Sequence, residues 1–355
     1  MSPASPPPDW QRWLDHVELA PDFRVAATRA GLVAQQREVR TILWRMLGRL
    51  PPRPAVPQTR MLGREDLGDC EVERFEIDNA AGATVPGVIF LPKGRPRPAP
   101  ALLWNHWHGG DFDLGIRQLF SAEQGQRPFA PGFAPGPTLA ARGYVVLGID
   151  SYCFGERNGR GPGGPAETGG AGELTAAKFN LWAGRTLWGM IVRDDQMALD
   201  YLASRPEVDA DRIGVTGTSM GATRTWWLMA LDERPKAAVA VCCLTRYREL
   251  IEDQRLRGHG IYYYVPGMLN HFDTEAVVSC IAPRAFLSLA GELDASSPVR
   301  GIERIETAAR PAWRLCGRDQ AFRSVIQPGV GHVYSPEMWS AMVAWFAEHL
   351  GGRTA

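Results

Sequence analysis

The stretch Ile213-Gly214-Val215-Thr216-Gly217-Thr218-Ser219-Met220-Gly221 joins a short apolar run to a serine flanked by glycines. Its first four residues predict a buried strand, and residues 222–231 after it carry a helical pattern of apolar side chains. Between the two, G-x-S-x-G is typical of a sharp turn that exposes a serine hydroxyl at the top of a parallel sheet. The small residues tolerate the strained backbone of that turn. The stretch therefore predicts an α/β fold in which Ser219 is a nucleophile.

Apolar runs and helical patterns alternate along the rest of the chain. Several runs are continuous in Val, Ile and Leu, as expected for parallel strands covered on both faces. Eight strands are predicted, at residues 70–77, 84–91, 101–104, 144–149, 212–216, 237–243, 285–289 and 322–326. Helical patterns lie at residues 191–203, 220–231 and 338–350. The alternation predicts a mainly parallel eight-stranded sheet flanked by helices.

The N-terminal part of the chain differs from this body. A Pro-rich leader precedes a helical spacing of apolar residues at 22–50. We therefore divide the chain into residues 1–55, a leader and a helix packed on the body, and residues 56–355, the α/β domain. Two glycine-rich stretches in that domain, near 111–137 and 155–184, are predicted to be loop insertions. Both follow a strand at its carboxyl end, where α/β sheets bind ligands.

The composition excludes several classes of function. Lysine plus arginine equals aspartate plus glutamate, 39 against 39, so no net charge attracts nucleic acid or an anionic membrane. No apolar run reaches the ~18 residues of a membrane span, and no secretory signal is visible. The six cysteines form no C-x-x-C pair, which favours buried free thiols in a cytoplasmic protein and argues against a metal site. We expect no metal or cofactor, and the sequence leaves homo-oligomerisation open.

A nucleophilic serine needs a base that takes its proton and an acid that orients the base. In folds with this turn, the acid and then the histidine follow the serine along the chain. An apolar strand at 285–289 runs into a loop with Asp294, and the next strand ends shortly before His332. The order predicts Asp294 as the acid and His332 as the base for Ser219, with Glu292 as the alternative acid.

The tetrahedral intermediate of acyl transfer needs backbone donors for its oxyanion. One is normally the amide directly after the nucleophile, which here belongs to Met220. The other comes from the loop after the third strand of such a sheet, and we assign it to Gly110. Gly109 and Asp111 are its neighbours and alternatives.

Further side chains near these segments are candidates for contact with a substrate. His108 directly precedes the two glycines of the donor loop. Trp107 either forms an aromatic wall of the site or packs in the core. Arg224, five residues after Ser219, either meets an anionic group or forms an ion pair. A run of three tyrosines either lines the pocket or packs within a loop, namely Tyr262, Tyr263 and Tyr264.

These motifs resemble those of the α/β-hydrolases, and among them the bacterial acetyl-xylan esterase-like and dienelactone hydrolase-like proteins. The matching pieces, within about residues 70–350, are His108-Gly109-Gly110, Asp150, Gly155-Glu156-Arg157, Gly184-Arg185-Thr186-Leu187-Trp188, Arg193-Asp194-Asp195, Gly217-Thr218-Ser219-Met220-Gly221, Ala282-Pro283-Arg284, Gly291-Glu292-Leu293-Asp294 and Gly331-His332. The resemblance implies an α/β-hydrolase fold and a serine esterase with Ser219, Asp294 and His332 as its triad. A dienelactone hydrolase proper uses a cysteine nucleophile, so Ser219 argues against that activity.

The function expected from these residues is hydrolysis of a carboxylic ester, with a small or carbohydrate acetyl ester as the substrate. Two alternatives stay open: a peptidase or amidase of the same fold, and a catalytically idle hydrolase fold that binds a ligand. The complete triad in the right chain order disfavours the idle fold. Peptidases of this fold often carry a large β-propeller domain, for which 355 residues leave no room.

Overall fold

The computed structural model describes Asp9, Trp13 and residues 16–121 and 134–351. In this part of the chain the strands are β1 (Gln58–Asp66), β2 (Cys70–Asp78), β3 (Thr84–Pro92), β4 (Ala99–Asn105), β5 (Val145–Ile149), β6 (Val208–Thr218), β7 (Ala237–Val241), β8 (Ala285–Gly291) and β9 (Phe322–Gln327). The α-helices from residue 29 onward are α1 (Arg29–Leu47), α2 (Pro135–Ala141), α3 (Gly169–Trp182), α4 (Leu187–Ser204), α5 (Met220–Leu231), α6 (Tyr247–Glu252), α7 (Thr274–Ser279), α8 (Val299–Leu315) and α9 (Pro336–Leu350).

The strands form one sheet in the order β1-β2-β3-β5-β4-β6-β7-β8-β9. Strands β4 to β9 run parallel to one another, while β1 pairs antiparallel with β2, β2 with β3, and β3 with β5. Strands β4, β5, β7 and β8 are buried along their whole length, because helices cover both faces. The predicted α/β class with a mainly parallel sheet is confirmed.

The sheet has nine strands rather than the predicted eight, and the additional one is β1. Its sequence, QTRMLGRED, is exposed throughout except at Gly63, so it carries no alternation of apolar and polar residues. The ladder to β2 holds it in place, with a register shift between Met61 and Gly63. Cross-strand ion pairs join Arg60 to Glu76 and Arg64 to Glu73. An edge strand that buries almost nothing leaves no hydrophobic signal in the sequence.

Helix α1 lies against the body of the protein through a mostly apolar face that includes Leu32, Val39 and Leu43. On the same face Gln36 donates through Nε2 to the carbonyls of Ser279 and Ala282, at 2.8 and 3.0 Å. The helix is shorter than the predicted range 22–50, and residues 1–8 of the predicted leader lie outside the described residues. In the described ranges, no helix is both long and apolar enough to cross a membrane.

The stretch 155–184 was expected to be irregular but contains the 14-residue helix α3. The glycines of this helix are confined to its first turn, Gly169 to Gly172. The remaining residues of the helix, ELTAAKFNLW, contain no glycine. Because Glu, Leu, Ala and Lys favour helix, these residues outweigh the glycines before them. In the other predicted insertion, residues 122–133 lie outside the described residues.

Candidate active site

Ser219 sits between β6 and α5 in the strained conformation that the sequence predicts, with φ 56° and ψ −120°. Its amide donates to the Val241 carbonyl of the neighbouring strand at 2.9 Å, which holds the turn against the sheet. A β-carbon at Gly217 or Gly221 would collide with the carbonyl of Asn105 at the end of β4. Both glycines of the motif are therefore required by close backbone approach as well as by the turn.

The three predicted triad residues lie together at the carboxyl ends of β6, β8 and β9. His332 Nδ1 is 2.8 Å from Asp294 Oδ2, and His332 Nε2 is 2.9 Å from Ser219 Oγ. A carboxylate only accepts hydrogen bonds, so Nδ1 carries the proton that is donated to Asp294. Nε2 then holds a lone pair that accepts the hydrogen bond from the Ser219 hydroxyl. The arrangement is that of a serine with a base poised to take its proton.

Asp294 is buried and also accepts a hydrogen bond from the Ser296 amide at 2.8 Å. Burial opposes its ionisation, but the hydrogen bonds from His332 and Ser296 outweigh it and hold the pKa of the Asp294 carboxyl below its ordinary value. The alternative acid, Glu292, is exposed, and its carboxylate accepts from the Gly329 amide at 2.9 Å. Of the two acids, Asp294 is the one hydrogen-bonded to the histidine.

The Gly110 amide, assigned above to the oxyanion hole, is already engaged. It donates to His108 Nδ1 at 3.1 Å, and the Asp111 amide donates to the His108 carbonyl at 2.7 Å. The amide is engaged because the His108 side chain turns back over its own loop. Within the described residues, the amides of Gly109 and His108 have no acceptor, and neither has that of Met220 at the start of α5.

A cavity of about 380 Å³ opens over Ser219. We call Ser219, Asp294 and His332 its catalytic wall, and His108, His259 and Tyr262 its recognition wall, because all six line it. Among the described residues that line it, none is a lysine or arginine, and Asp294 is the one carboxylate. Apart from the triad, the cavity therefore offers neutral polar groups and aromatic faces.

Both histidines of the recognition wall are neutral near physiological pH. Burial lowers the pKa of His108 to about 4, and its ring lies among Phe112, Phe154 and Tyr262, with centroids at 5.0, 5.1 and 5.9 Å. Burial also lowers the pKa of His259, whose Nε2 donates to the Ser296 carbonyl at 3.0 Å. His259 was not predicted to line the site, because a histidine upstream of the acid has no signal in the sequence that separates it from a structural one.

Arg224 and Trp107, two of the candidate substrate contacts, do not line the cavity. Arg224 is fully buried on α5 and donates through Nε to Asp195 of α4 at 3.0 Å. Arg224 therefore forms an ion pair, which was the second of the two interpretations given for it. Trp107 is buried, and its backbone amide and carbonyl both bond to the side chain of Gln118, at 3.2 and 2.9 Å. Of the candidates, His108, Tyr262 and Tyr263 line the cavity.

The six cysteines are free thiols, and five of them are buried. Cys243 lies beside Ser219 and lines the cavity, and burial raises its pKa above the ordinary thiol value. In the described part of the chain, one group of potential metal ligands occurs: Cys242, Asp294 and His332, whose ligand atoms lie within 4.8 Å of one another. Two of these three residues are already hydrogen-bonded to each other as part of the triad.

The strand–serine–helix turn, the sheet order and the positions of the acid and histidine define the α/β-hydrolase fold. The chain belongs to the Abhydrolase family, whose profile matches residues 10–311. It is 36% identical over 295 residues to "Putative hydrolase YtaP" of Bacillus subtilis (strain 168), which covers 83% of this chain and 93% of that protein. The resemblance inferred from the motifs is thus confirmed at the level of the family.

Solved structures with the same fold include two esterases. The "putative acetyl xylan esterase" of Bacteroides fragilis NCTC 9343 matches with a TM-score of 0.68 at 18% identity, over 90% of this chain and 81% of that one. A glucuronoyl esterase from Solibacter usitatus matches with a TM-score of 0.63 at 18% identity, over 88% of this chain and 91% of that one. At such identities the likeness shows a shared fold.

Proposed function

We propose that this protein is a serine hydrolase that cleaves carboxylic esters through an acyl-enzyme. Ser219 Oγ attacks the ester carbonyl carbon while His332 Nε2 takes the hydroxyl proton. The bond from that carbon to the alcohol oxygen then breaks, and His332 returns the proton to the leaving alcohol. A water molecule, deprotonated by the same histidine, releases the acid and regenerates Ser219.

The observation that carries the proposal is the unbroken hydrogen-bond chain from Ser219 through His332 to Asp294. Asp294 holds the imidazole in the tautomer that leaves Nε2 free to accept a proton, and its negative charge stabilises the imidazolium that forms. An idle binding protein would have no need for this chain. The Met220 amide, together with that of Gly109 or His108, supplies donors for the oxyanion.

We further propose that the substrate is a small or carbohydrate acetyl ester. The cavity of about 380 Å³ suits a compact ligand, and its neutral hydrogen-bonding groups suit one without a formal charge. Aromatic side chains such as Tyr262 and Tyr263 offer faces on which a sugar ring packs. Two proteins with this fold are named as an acetyl xylan esterase and a glucuronoyl esterase, which supports a carbohydrate ester.

Hydrolysis of p-nitrophenyl acetate by the wild-type protein and by Ser219→Ala tests the proposal. Removing the nucleophile of such a triad costs ~10⁶-fold in kcat. The matched control is Ser340→Ala, which removes an exposed hydroxyl of α9 that donates to the Pro336 carbonyl. A Ser219→Ala protein that keeps a tenth of the wild-type rate would overturn the assignment. Faster cleavage of p-nitroacetanilide than of the ester would favour an amidase.

A further inference from the structure

The proton on His108 is fixed by its own loop. Its Nδ1 accepts a hydrogen bond from the Gly110 amide at 3.1 Å and therefore holds a lone pair. Since burial lowers the pKa of His108 to about 4, the ring is neutral near pH 7 and carries one proton. That proton is on Nε2. His108 therefore offers the cavity an N–H donor in one defined tautomer.

The His108 donor has the hydroxyl of Tyr262 as its partner, and the hydrogen bond between them is weak. His108 Nε2 lies 3.4 Å from the Tyr262 oxygen, which is at the long end of a hydrogen bond. A tyrosine oxygen that accepts from Nε2 still has its own O–H to donate. Within the described residues, that O–H has no acceptor. Two donors thus lie side by side on the cavity, one weakly paired and one unpaired.

The rest of the structure holds these two donors in place. The Tyr262 amide donates to the buried carboxyl of Glu173 on α3 at 3.1 Å. The Tyr262 ring stacks on Trp188 at 6.0 Å and meets Phe154 edge-on at 5.8 Å. Donors that are already ordered before the ligand arrives lose little entropy on binding. The pair is therefore ordered before a ligand binds.

We propose that His108 and Tyr262 form a donor pair that binds a hydroxyl oxygen on the alcohol half of the substrate and so selects esters of polyols. The inference rests on the ester hydrolysis proposed above. Two adjacent donors match the two lone pairs of a hydroxyl oxygen. An ester without that oxygen leaves both donors unpaired in a buried site, and such a site discriminates strongly against it. A carboxylate would call for a charged partner, and the described lining has no lysine or arginine.

The test compares two acetate esters that differ by one hydroxyl: trans-cyclohexane-1,2-diol monoacetate and cyclohexyl acetate. The measured quantity is the ratio of their kcat/KM values. Tyr262→Phe removes the hydroxyl and keeps the ring, and we expect the ratio to fall about tenfold, the worth of one good hydrogen bond. The matched control is Tyr264→Phe, because the Tyr264 hydroxyl donates to the Leu256 carbonyl at 2.8 Å and does not line the cavity. Its ratio should equal that of the wild type.

A second pair of variants separates the donor from the loop that carries it. In His108→Gln the side-chain amide nitrogen reaches the position of Nε2, whereas in His108→Asn the side-chain oxygen replaces Nδ1 and nothing replaces the Nε2 donor. We expect the glutamine variant to keep more of the selectivity ratio than the asparagine variant. We also expect the losses in His108→Asn and Tyr262→Phe to be less than additive in the double variant, since the two residues share one partner oxygen.

The outcomes distinguish this inference from the proposed function. If the wild-type protein cleaves neither ester nor p-nitrophenyl acetate, the proposed function fails and the donor pair fails with it. If the protein is active but Tyr262→Phe and His108→Asn both keep the wild-type ratio, the donor pair alone is overturned. A fall in kcat/KM that is equal for the two esters also overturns it, because it would mean that the two side chains only support the fold of the site.

Discussion

The two walls of the cavity are built in different ways. The catalytic wall follows the carboxyl ends of β6, β8 and β9, so the hydrogen-bonded sheet sets the positions of its three side chains. The recognition wall combines a residue after β4 with two residues from the turns between α6 and α7, held by Glu173 of α3. The proposed chemistry therefore depends on the sheet, while the proposed selectivity depends on contacts between loops that lie far apart in the sequence.

The largest effect expected on the catalytic wall concerns its acid. Asp294→Asn removes the negative charge and the acceptor that fixes the His332 tautomer, so kcat should fall ~10⁴-fold. Glu292→Gln is the matched control, because Glu292 is exposed and bonds the Gly329 amide instead. Its activity should stay within about twofold of the wild type, as surface substitutions usually do. Steady-state kinetics with p-nitrophenyl acetate checks both, and an inactive Glu292→Gln would show that the acid is misassigned.

Arg224 belongs to neither wall, and its substitution should affect stability rather than selectivity. Arg224→Met leaves the buried carboxylate of Asp195 without its partner, which costs about 3–5 kcal/mol of unfolding free energy. Arg212→Met breaks a more exposed ion pair with Asp209 and should cost no more than about 1 kcal/mol. Urea denaturation measures both. Equal losses in the two variants, or a changed selectivity ratio in Arg224→Met, would contradict the placement of Arg224 in the core.

The recognition wall should make stability depend on pH through His108. Its pKa is about 4 when folded, below the ordinary value of ~6.5 for an unfolded histidine. Between these values the unfolded chain binds the extra proton, so stability falls as the pH decreases from ~6.5 to ~4. From pH 7 to pH 5 the free energy of unfolding of the wild type should fall by about 2 kcal/mol more than that of His108→Asn. The exposed His271 provides the control His271→Asn, which should follow the wild type. Equal loss of stability in the wild type and in His108→Asn would contradict a neutral His108 in the folded protein.

The difference between the two walls also explains which residues of the site can be predicted from the sequence. The sequence predicts Ser219, Asp294 and His332 because each of them follows a strand and because their order along the chain is the one that the turn motif implies. Once the parallel sheet forms, the ends of neighbouring strands meet at one edge. The same reasoning places the His108 loop after β4 at that edge. Strand order and chain order therefore predict the catalytic wall without any knowledge of side-chain directions.

Sequence patterns say least about the features that depend on the directions of side chains. The Gly110 amide was assigned to the oxyanion hole, and in the structure the His108 ring turns back and accepts its hydrogen bond. Arg224 lies close to Ser219 along the chain, yet its helical position points it into the body towards Asp195. The exposed edge strand β1 was missed because it buries almost no apolar surface. Tertiary contacts, rather than local patterns, decide all of these.

Covalent labelling is the direct test of whether Ser219 carries the acyl group. A fluorophosphonate that reacts with activated serines is applied, followed by tryptic digestion and mass spectrometry. Trypsin separates residues 213–224, which contain Ser219, from residues 237–246, which contain the neighbouring thiol of Cys243. We expect one label on Ser219 in the first peptide and none in Ser219→Ala. A label on the second peptide, or equal labelling of Ser219→Ala, would contradict it.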